Sequence, residues 1–237
     1  MKTNQSDFFR STCAQSETPR RVTFNPSLLA ANFACLEREI RALEQAGAEV
    51  LHLDIMDGHF VPNLSFGIPV VESIRKITEL PLDVHLMLTN PADYIAPFRK
   101  AGADCLTVHI EAVPNPAQIL ESIHNMGAGA GLATNPPTDI TVLEPYLDMC
   151  DLVLSMSVMP GFGGQRFNDV TLQKLSWLRD NAPSRVWLEV DGGVNETTLA
   201  SCVKAGANLL VMGTAILGHP DYRTRFEALE SLVEKTL

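Results

Sequence analysis

Four residues that can bind a metal ion lie within short apolar runs of this sequence. His52 and Asp54 are two apart in one run, and His85 and Asp191 belong to two later runs. An unpaired carboxylate costs several kcal/mol to bury, so two aspartates in apolar surroundings require a compensating cation. Two imidazoles and two carboxylates suit Zn²⁺, Fe²⁺, Mn²⁺ or Co²⁺. The pattern therefore predicts one divalent metal site formed by His52, Asp54, His85 and Asp191.

Glycine-rich segments follow three of the later apolar runs. Glycine allows backbone N–H groups to approach a phosphate closely. Neither a Walker A nor a Rossmann fingerprint is present, so these segments do not indicate a nucleotide. We expect them to bind the phosphate group of a small phosphate ester. The residues concerned are Gly161, Phe162, Gly163 and Gly164, then Gly192 and Gly193, and finally Gly213 and Thr214.

The combination of a metal, two carboxylates and a phosphate site indicates proton-transfer chemistry. A Schiff-base aldolase would need a lysine at the end of a strand, and the lysines lie elsewhere. Two carboxylates could instead remove and return a proton beside a carbonyl, with the metal stabilising the enediolate. Two bases on opposite faces of a carbon can invert the configuration of that stereocentre. The residues thus predict a metal-assisted isomerase or epimerase that acts on a phosphorylated ketose.

The elements that would position these residues repeat along the chain. From residue 22 onward, eight short apolar runs alternate with amphipathic stretches of helical period. Eight such units favour a closed (β/α)8 TIM barrel, with an open α/β sheet as the alternative. In this barrel, chemistry takes place at the carboxyl ends of the strands. The predicted strands begin near Val22, Val50, Leu80, Asp104, Ala128, Asp151, Arg185 and Asn208.

Composition and charge limit the possible partners and compartments. The chain has 237 residues and a formal net charge of −10, so it lacks the basic surface that nucleic acids and anionic membranes require. No apolar run is long enough to span a membrane. The five scattered cysteines indicate reduced thiols and a cytoplasmic location. Residues 1–21 are expected to form a disordered extension, and residues 22–237 the catalytic barrel.

Five longer motifs occur in order along the chain. They are NPSLL in residues 25–29, LHLDIMDGHFVPN in 51–63, DVHLM in 83–87, MSVMPGFGGQ in 156–165 and VDGG in 190–193. Together they resemble the signature segments of the ribulose-phosphate 3-epimerase family. The resemblance implies interconversion of D-ribulose 5-phosphate and D-xylulose 5-phosphate, in the pentose phosphate pathway or a reductive carbon-fixing cycle. It also implies a homo-oligomer, either a dimer or a hexamer.

The resemblance further implies roles for individual residues. Asp54 would accept a proton and Asp191 would donate one, with the roles exchanged in the reverse direction. Ser27 and His85 would contact the sugar, and the glycine segments would hold the phosphate. Three methionines would form a polarizable wall that keeps water from the intermediate. These are Met56, Met87 and Met156.

The sequence departs from the family pattern at three places. After the first strand, Ala30 and Asn32 stand where the family usually has serine and aspartate. Met159 stands where the family has asparagine or glutamate, and Thr214 where it has serine. None of these changes removes a predicted ligand or base, so they bear on substrate preference more than on catalysis. The alternatives are therefore a D-allulose 6-phosphate 3-epimerase and a non-catalytic sugar-phosphate binding protein. His109 and Glu111 have no assigned role and are interpreted as a hydrogen-bonded pair at the rim.

Overall fold

The fold comes from a computed structural model, which describes residues 5–10 and 21–237. Its strands in these ranges are β1 Thr23–Pro26, β2 Leu51–Met56, β3 Leu82–Met87, β4 Cys105–His109, β5 Gly129–Thr134, β6 Leu152–Met156, β7 Trp187–Asp191 and β8 Leu209–Met212. They form one parallel sheet in the order β1-β8-β7-β6-β5-β4-β3-β2. A bridge between Ser27 and His52 brings β1 back to β2, so the sheet nearly closes into a barrel.

The eight strands confirm the predicted (β/α)8 barrel. Each begins within two residues of its predicted start. All residues of β2 and β3 are buried, as expected for parallel strands that are covered by helices outside and packed side chains inside. Because β1 contacts both β8 and β2, the alternative of an open sheet is excluded.

Helices connect the strands and cover the barrel. Between β5 and β6 the connection is a 3-10 helix, Ile140–Met149, because Pro145 within it has no N–H to donate to an α-helical bond. The α-helices are α1 Leu36–Ala46, α2 Ile68–Ile77, α3 Ile95–Ala101, α4 Pro116–Asn125, α5 Val170–Asn181, α6 Leu199–Ala205, α7 Thr214–Leu217 and α8 Tyr222–Glu234. Shorter 3-10 helices cover Gln5–Phe8, Leu28–Ala30, Phe33–Cys35, Pro91–Tyr94 and Ile110–Ala112.

Residues 5–10 pack against the amino-terminal end of the barrel, opposite the predicted site. Phe9 is fully buried in a cluster with Cys105, Trp187 and Leu209. The Phe8 ring stacks on Trp187 at 5.0 Å, and Trp187 Nε1 donates a hydrogen bond to the Phe8 carbonyl at 3.2 Å. Residues 5–10 of the expected extension thus contact the barrel, because two adjacent phenylalanines pack on an apolar surface. Residues 1–4 and 11–20 of the extension lie outside the described residues.

Two further sequence expectations concern membranes and thiols. Among the described residues, no helix has the length and apolar character needed to cross a membrane. Cys35, Cys105, Cys150 and Cys202 are free thiols, in keeping with the predicted reduced state. Cys13, the fifth cysteine, lies outside the described residues.

Candidate active site

A cavity of about 570 Å³ lies at the carboxyl ends of the strands. Asp54 of β2 and Asp191 of β7 line it, whereas His52 and His85 are fully buried and do not. The cavity therefore brings together nearly all the residues predicted to contact a substrate. Those that line it are Ser27, Met56, Met87, Met156, Gly161, Phe162, Gly163, Gly164, Gly192, Gly193, Gly213 and Thr214.

The four predicted metal ligands meet at this cavity. One ligand atom from each of His52, Asp54, His85 and Asp191 lies within 4.8 Å of the others. Asp54 Oδ1 is 3.3 Å from His52 Nε2 and 3.4 Å from His85 Nδ1. Atoms that bind a tetrahedral metal at about 2.1 Å are about 3.4 Å apart, so this spacing fits. His52 Nε2 is also buried without a hydrogen-bond partner among the described residues, which leaves it for a cation.

The pKa values of the two carboxyl groups of the site are shifted in opposite directions in the metal-free protein. Burial opposes the charge of Asp54, but His52 and His85 hold the pKa of this carboxyl well below its usual range. Burial and the nearby Asp54 charge raise the pKa of Asp191 to about 7. Asp54 is therefore ionised near neutral pH, while Asp191 retains a proton up to that range. Carboxyl groups whose pKa values are separated in this way can act as base and acid.

A proton competes with the metal at His52, which predicts a pH-dependent affinity. Burial opposes the charge of His52, yet Asp54 and Asp83 raise its pKa well above the usual value. A cation must displace the proton of His52, so Zn²⁺ affinity should fall as the pH drops from about 8 to about 6, by up to about tenfold per pH unit. Calorimetric titration across this range measures the effect.

The Asp191→Asn variant is the control for this pH dependence. It leaves His52 unchanged, so its Zn²⁺ affinity should change with pH as steeply as that of the unmodified chain. An affinity of the unmodified chain that is constant from about pH 6 to about pH 8 would contradict the prediction.

A buried polar cluster behind His52 was missed by the sequence analysis. Asp83 Oδ2 is 2.7 Å from His52 Nδ1 and accepts a hydrogen bond from Asn25 Nδ2 at 2.8 Å. Asn25 also donates to Glu189 Oε1 at 2.8 Å. Burial and the Asp83 charge raise the pKa of Glu189 well above its usual range, so Glu189 is protonated. Asn25, Asp83 and Glu189 each precede a predicted site residue by two positions, and this spacing, which places both on one face of a strand, was the available signal.

His109 and Glu111 form the predicted hydrogen-bonded pair, but His109 is not at the rim. Its Nδ1 is 3.3 Å from Glu111 Oε2, its Nε2 is 2.8 Å from His85 Nε2, and the side chain is fully buried. Burial lowers the pKa of His109 to about 4. Burial opposes the charge of Glu111, but hydrogen bonds from His109 and Thr138 lower its pKa to about 2.

Side chains outside the predicted set hold the glycine segments in shape. Asn63 Nδ2 donates to the Gly161 carbonyl at 2.6 Å. Gln165 Nε2 donates to the carbonyls of Met159 at 2.8 Å and Phe162 at 2.9 Å. The Ser157 hydroxyl donates to the Gly192 carbonyl. Gly213 directly precedes the short helix α7, and residues of the loops after β6, β7 and β8 all line the cavity.

Gly193 is the position in these loops where a side chain fits least. It has φ +64°, and a Cβ there would lie 2.5 Å from the backbone N of Phe167 and 2.7 Å from the carbonyl O of Gln165. We predict that Gly193→Ala lowers the free energy of unfolding by more than about 1 kcal/mol and weakens the binding of inorganic phosphate.

Gly163 provides the matched control for the Gly193 substitution. A Cβ at Gly163 would meet nothing within 4 Å. Urea unfolding of Gly163→Ala should therefore show a change below about 1 kcal/mol. Equal losses of stability in the two variants would contradict the steric explanation.

Ser27 and the three methionines complete the lining of the cavity. The Ser27 hydroxyl donates to Asp54 Oδ2 at 2.6 Å, which leaves Asp54 Oδ1 facing the two histidines. Met56, Met87 and Met156 are 6%, 1% and 1% exposed. These thioethers present a polarizable apolar wall beside the carboxylates, suited to excluding water.

Solved structures with the same architecture belong to a different enzyme. Two mutant tryptophan synthase α-subunits from the hyperthermophile Pyrococcus furiosus match 92% of this chain. They align with TM-scores of 0.65 and 0.66 and sequence identities of 18% and 19%, over 99% and 98% of their own chains. Similarity at this low identity establishes the TIM-barrel fold alone.

Closer sequence relatives identify the family. A ribulose-phosphate 3-epimerase from Bacillus subtilis (strain 168) is 48% identical over 200 residues, covering 83% of this chain and 92% of that protein. A chloroplastic ribulose-5-phosphate-3-epimerase from Arabidopsis thaliana is 43% identical over 215 residues, covering 89% of this chain and 76% of that protein. The model of the ribulose-phosphate 3 epimerase family matches residues 23–217. The chain therefore belongs to the ribulose-phosphate 3-epimerase family.

Proposed function

We propose that this chain is a metal-dependent epimerase that inverts C3 of a ketose phosphate and interconverts D-ribulose 5-phosphate and D-xylulose 5-phosphate. The observation that carries the proposal is that Asp54 and Asp191, two carboxyl groups whose pKa values are shifted in opposite directions, line one cavity. Inversion of a carbon beside a carbonyl needs a base on one face and an acid on the other. The relatives named as ribulose-phosphate 3-epimerases supply the substrate class.

The proton transfer assigns one step to each carboxyl group. Asp54, as the carboxylate, takes the proton from C3, and the electrons of the broken C–H bond form a C2–C3 double bond. The carbonyl π electrons move to the C2 oxygen, which gives an enediolate. Asp191 then donates its proton to the opposite face of C3, and the C2 carbonyl forms again. The two residues have exchanged protonation states, so Asp191 is the base in the reverse direction.

A divalent cation belongs to this mechanism. The residues that would hold it are His52, Asp54, His85 and Asp191. When bound, Zn²⁺, Fe²⁺, Mn²⁺ or Co²⁺ supplies positive charge that stabilises negative oxygens of the reacting sugar. Ser27 orients the Asp54 carboxylate through its hydrogen bond to Oδ2.

The remaining lining of the cavity suits the rest of the substrate. Ser27 would contact the sugar, whereas the fully buried His85 does not line the cavity, and the three methionines would keep water from the enediolate. The phosphate would lie on the loops after β6, β7 and β8, where TIM barrels commonly bind phosphate. The residues proposed for this end are Gly161, Phe162, Gly163, Gly164, Gly192, Gly193, Gly213 and Thr214.

Initial rates in D₂O test the proposed reaction. The metal-loaded protein is given D-ribulose 5-phosphate or D-allulose 6-phosphate, and both epimer formation and deuterium incorporation at C3 are followed. A preference of about a hundredfold or more for the pentulose, with exchange at C3 alone, is the expected result.

The alternatives give different results in the same experiment. A preference for D-allulose 6-phosphate would indicate that the extra carbon fits between the carboxylates and the phosphate loops, and would overturn the pentulose assignment. Absence of exchange with both sugars would indicate a non-catalytic sugar-phosphate binding protein.

The proposal also covers the oligomeric state of the protein and its cellular location. We expect a homo-oligomer, either a dimer or a hexamer, and a mass in solution equal to that of one chain would contradict this prediction. A cytoplasmic location is proposed on the free thiols of Cys35, Cys105, Cys150 and Cys202.

A further inference from the structure

We propose that His109 and Glu111 are positioning residues that fix the ring of His85 so that its Nδ1 presents a lone pair to the cation. The inference rests on the proposed function, because it concerns one of the metal ligands assigned there. It gives a role to two residues for which the sequence suggested only a hydrogen-bonded pair.

The two ring nitrogens of His85 face different partners. Nδ1 is 3.4 Å from Asp54 Oδ1, on the side where the ligand atoms converge. Nε2 is 2.8 Å from His109 Nε2. His85 and His109 are both 0% exposed, so water cannot take the place of either contact. The orientation of His85 is therefore set by the side chain behind it.

The protons in this chain of contacts can be assigned from the hydrogen-bond rules. A ligand imidazole is neutral and carries one hydrogen, which must be on Nε2 if Nδ1 is to bind a cation. Two nitrogens 2.8 Å apart need exactly one hydrogen between them, so His85 Nε2 donates and His109 Nε2 accepts. The hydrogen of neutral His109 is then on Nδ1, which is 3.3 Å from Glu111 Oε2 and donates to it.

Hydrogen bonds hold Glu111 in place, which fixes the direction of donation from His85 to His109 and from His109 to Glu111. The backbone N–H of Asn135 donates to Glu111 Oε1 at 2.8 Å, and the Thr138 hydroxyl donates to the same oxygen. Oε2 is left for His109. A carboxylate only accepts hydrogen bonds, so it holds the hydrogen of His109 on Nδ1. The ring of His109 is also fixed in place between His85, with ring centroids 4.9 Å apart, and Phe60, at 4.8 Å.

The other histidine ligand, His52, is also oriented by a hydrogen-bond partner on its second ring nitrogen. His52 faces Asp54 with Nε2, and its Nδ1 is 2.7 Å from Asp83 Oδ2. Each histidine ligand is therefore linked by hydrogen bonds to a carboxylate. His52 contacts Asp83 directly, and His85 reaches Glu111 through the imidazole of His109. Partners of this kind fix the tautomer of a ligand histidine, and their loss weakens metal binding.

Metal affinity of variants tests the role of His109 without relying on activity. In His109→Phe, an aromatic ring remains but no nitrogen can accept from His85. In His109→Gln, the amide can accept from His85 and donate to Glu111. The control is His124→Gln, because His124 Nε2 is 2.7 Å from Asp151 Oδ2 in a histidine–carboxylate pair remote from the cavity. Dissociation constants for Zn²⁺ are measured by chelator competition on metal-free protein, with Co²⁺ absorption reporting ligand geometry.

The expected result is a loss of about 10–100-fold in Zn²⁺ affinity and an altered Co²⁺ spectrum for His109→Phe. His109→Gln should recover most of the affinity, and His124→Gln should match the unmodified chain. Unchanged affinity in His109→Phe, or an equal loss in His124→Gln, would overturn the inference. Absence of Zn²⁺ binding by the unmodified chain would overturn the proposed metal site together with it, so the two failures are distinguishable.

A measurement on the unmodified, zinc-loaded protein decides the question if His109→Phe does not fold. Nitrogen-15 NMR of the histidine rings reports which nitrogen carries the hydrogen. We expect hydrogen on Nε2 of His85 and on Nδ1 of His109. The opposite assignment for either ring would overturn the inference.

Discussion

Replacing Asp191 by asparagine should lower kcat for epimerisation by about 10³-fold while the barrel stays folded. The amide has nearly the shape of the carboxyl group and keeps one oxygen toward the metal ligands, but it cannot deliver a proton to C3. Asp191 is the group whose pKa burial and the Asp54 charge raise to about 7, so it holds the required proton. Steady-state rates on D-ribulose 5-phosphate measure the loss.

Isotope exchange makes the Asp191 test specific for the two-base assignment. Asp54 remains in Asp191→Asn, so it should still remove the C3 proton and return one to the same face. In D₂O the variant should incorporate deuterium into D-ribulose 5-phosphate while forming almost no D-xylulose 5-phosphate. Metal content is measured in parallel, so that loss of the cation is not mistaken for loss of the acid.

A matched aspartate serves as the control for Asp191→Asn. The side chain of Asp180 is 62% exposed and pairs with its neighbour Arg179 on the surface. Asp180→Asn should leave kcat unchanged. Normal epimerisation by metal-loaded Asp191→Asn would contradict the assignment of Asp191 as the second acid–base group.

Replacing Phe9 by alanine should lower the free energy of unfolding by about 3–5 kcal/mol. Phe9 is 0% exposed beneath the barrel, in a buried cluster that includes Trp187 and Leu209. Its removal leaves a cavity among residues held by the strands, which cannot collapse to fill it. Urea unfolding of the metal-free protein measures the change. The kcat of the folded variant should be unaffected, because Phe9 lies at the end of the barrel opposite Asp54.

An exposed phenylalanine provides the comparison for Phe9. Phe33 is 46% exposed, and its replacement by alanine should cost about 1 kcal/mol or less. If Phe9→Ala loses no more stability than Phe33→Ala, residues 5–10 do not pack against the barrel in solution.

The barrel and most of its candidate site could be predicted because both depend on local patterns. Short apolar runs at regular spacing marked all eight strands, and His52 with Asp54 showed the two-residue spacing of one strand face. Once the barrel is assumed, the carboxyl ends of its strands converge, so residues distant in sequence can be assigned to one site.

The contacts that the sequence did not predict depend on register between strands. The hydrogen bond between His85 and His109 joins β3 and β4. A sequence pattern does not show which residues of two neighbouring strands lie side by side. Asp83 behind His52 depends on the pairing of β2 with β3 in the same way. The packing of Phe8 and Phe9 was missed because two residues are too few to show a period.

The closure of the barrel links the two ends of the chain, and this has a consequence for its synthesis. β1 pairs with β8, and Phe9 belongs to the same buried cluster as Leu209, which follows it by 200 residues. A ribosome adds about 5–20 residues per second, so roughly 10–40 s separate the two partners. Phe9 and β1 are thus translated well before β8, and the open edge of β1 needs protection during that interval.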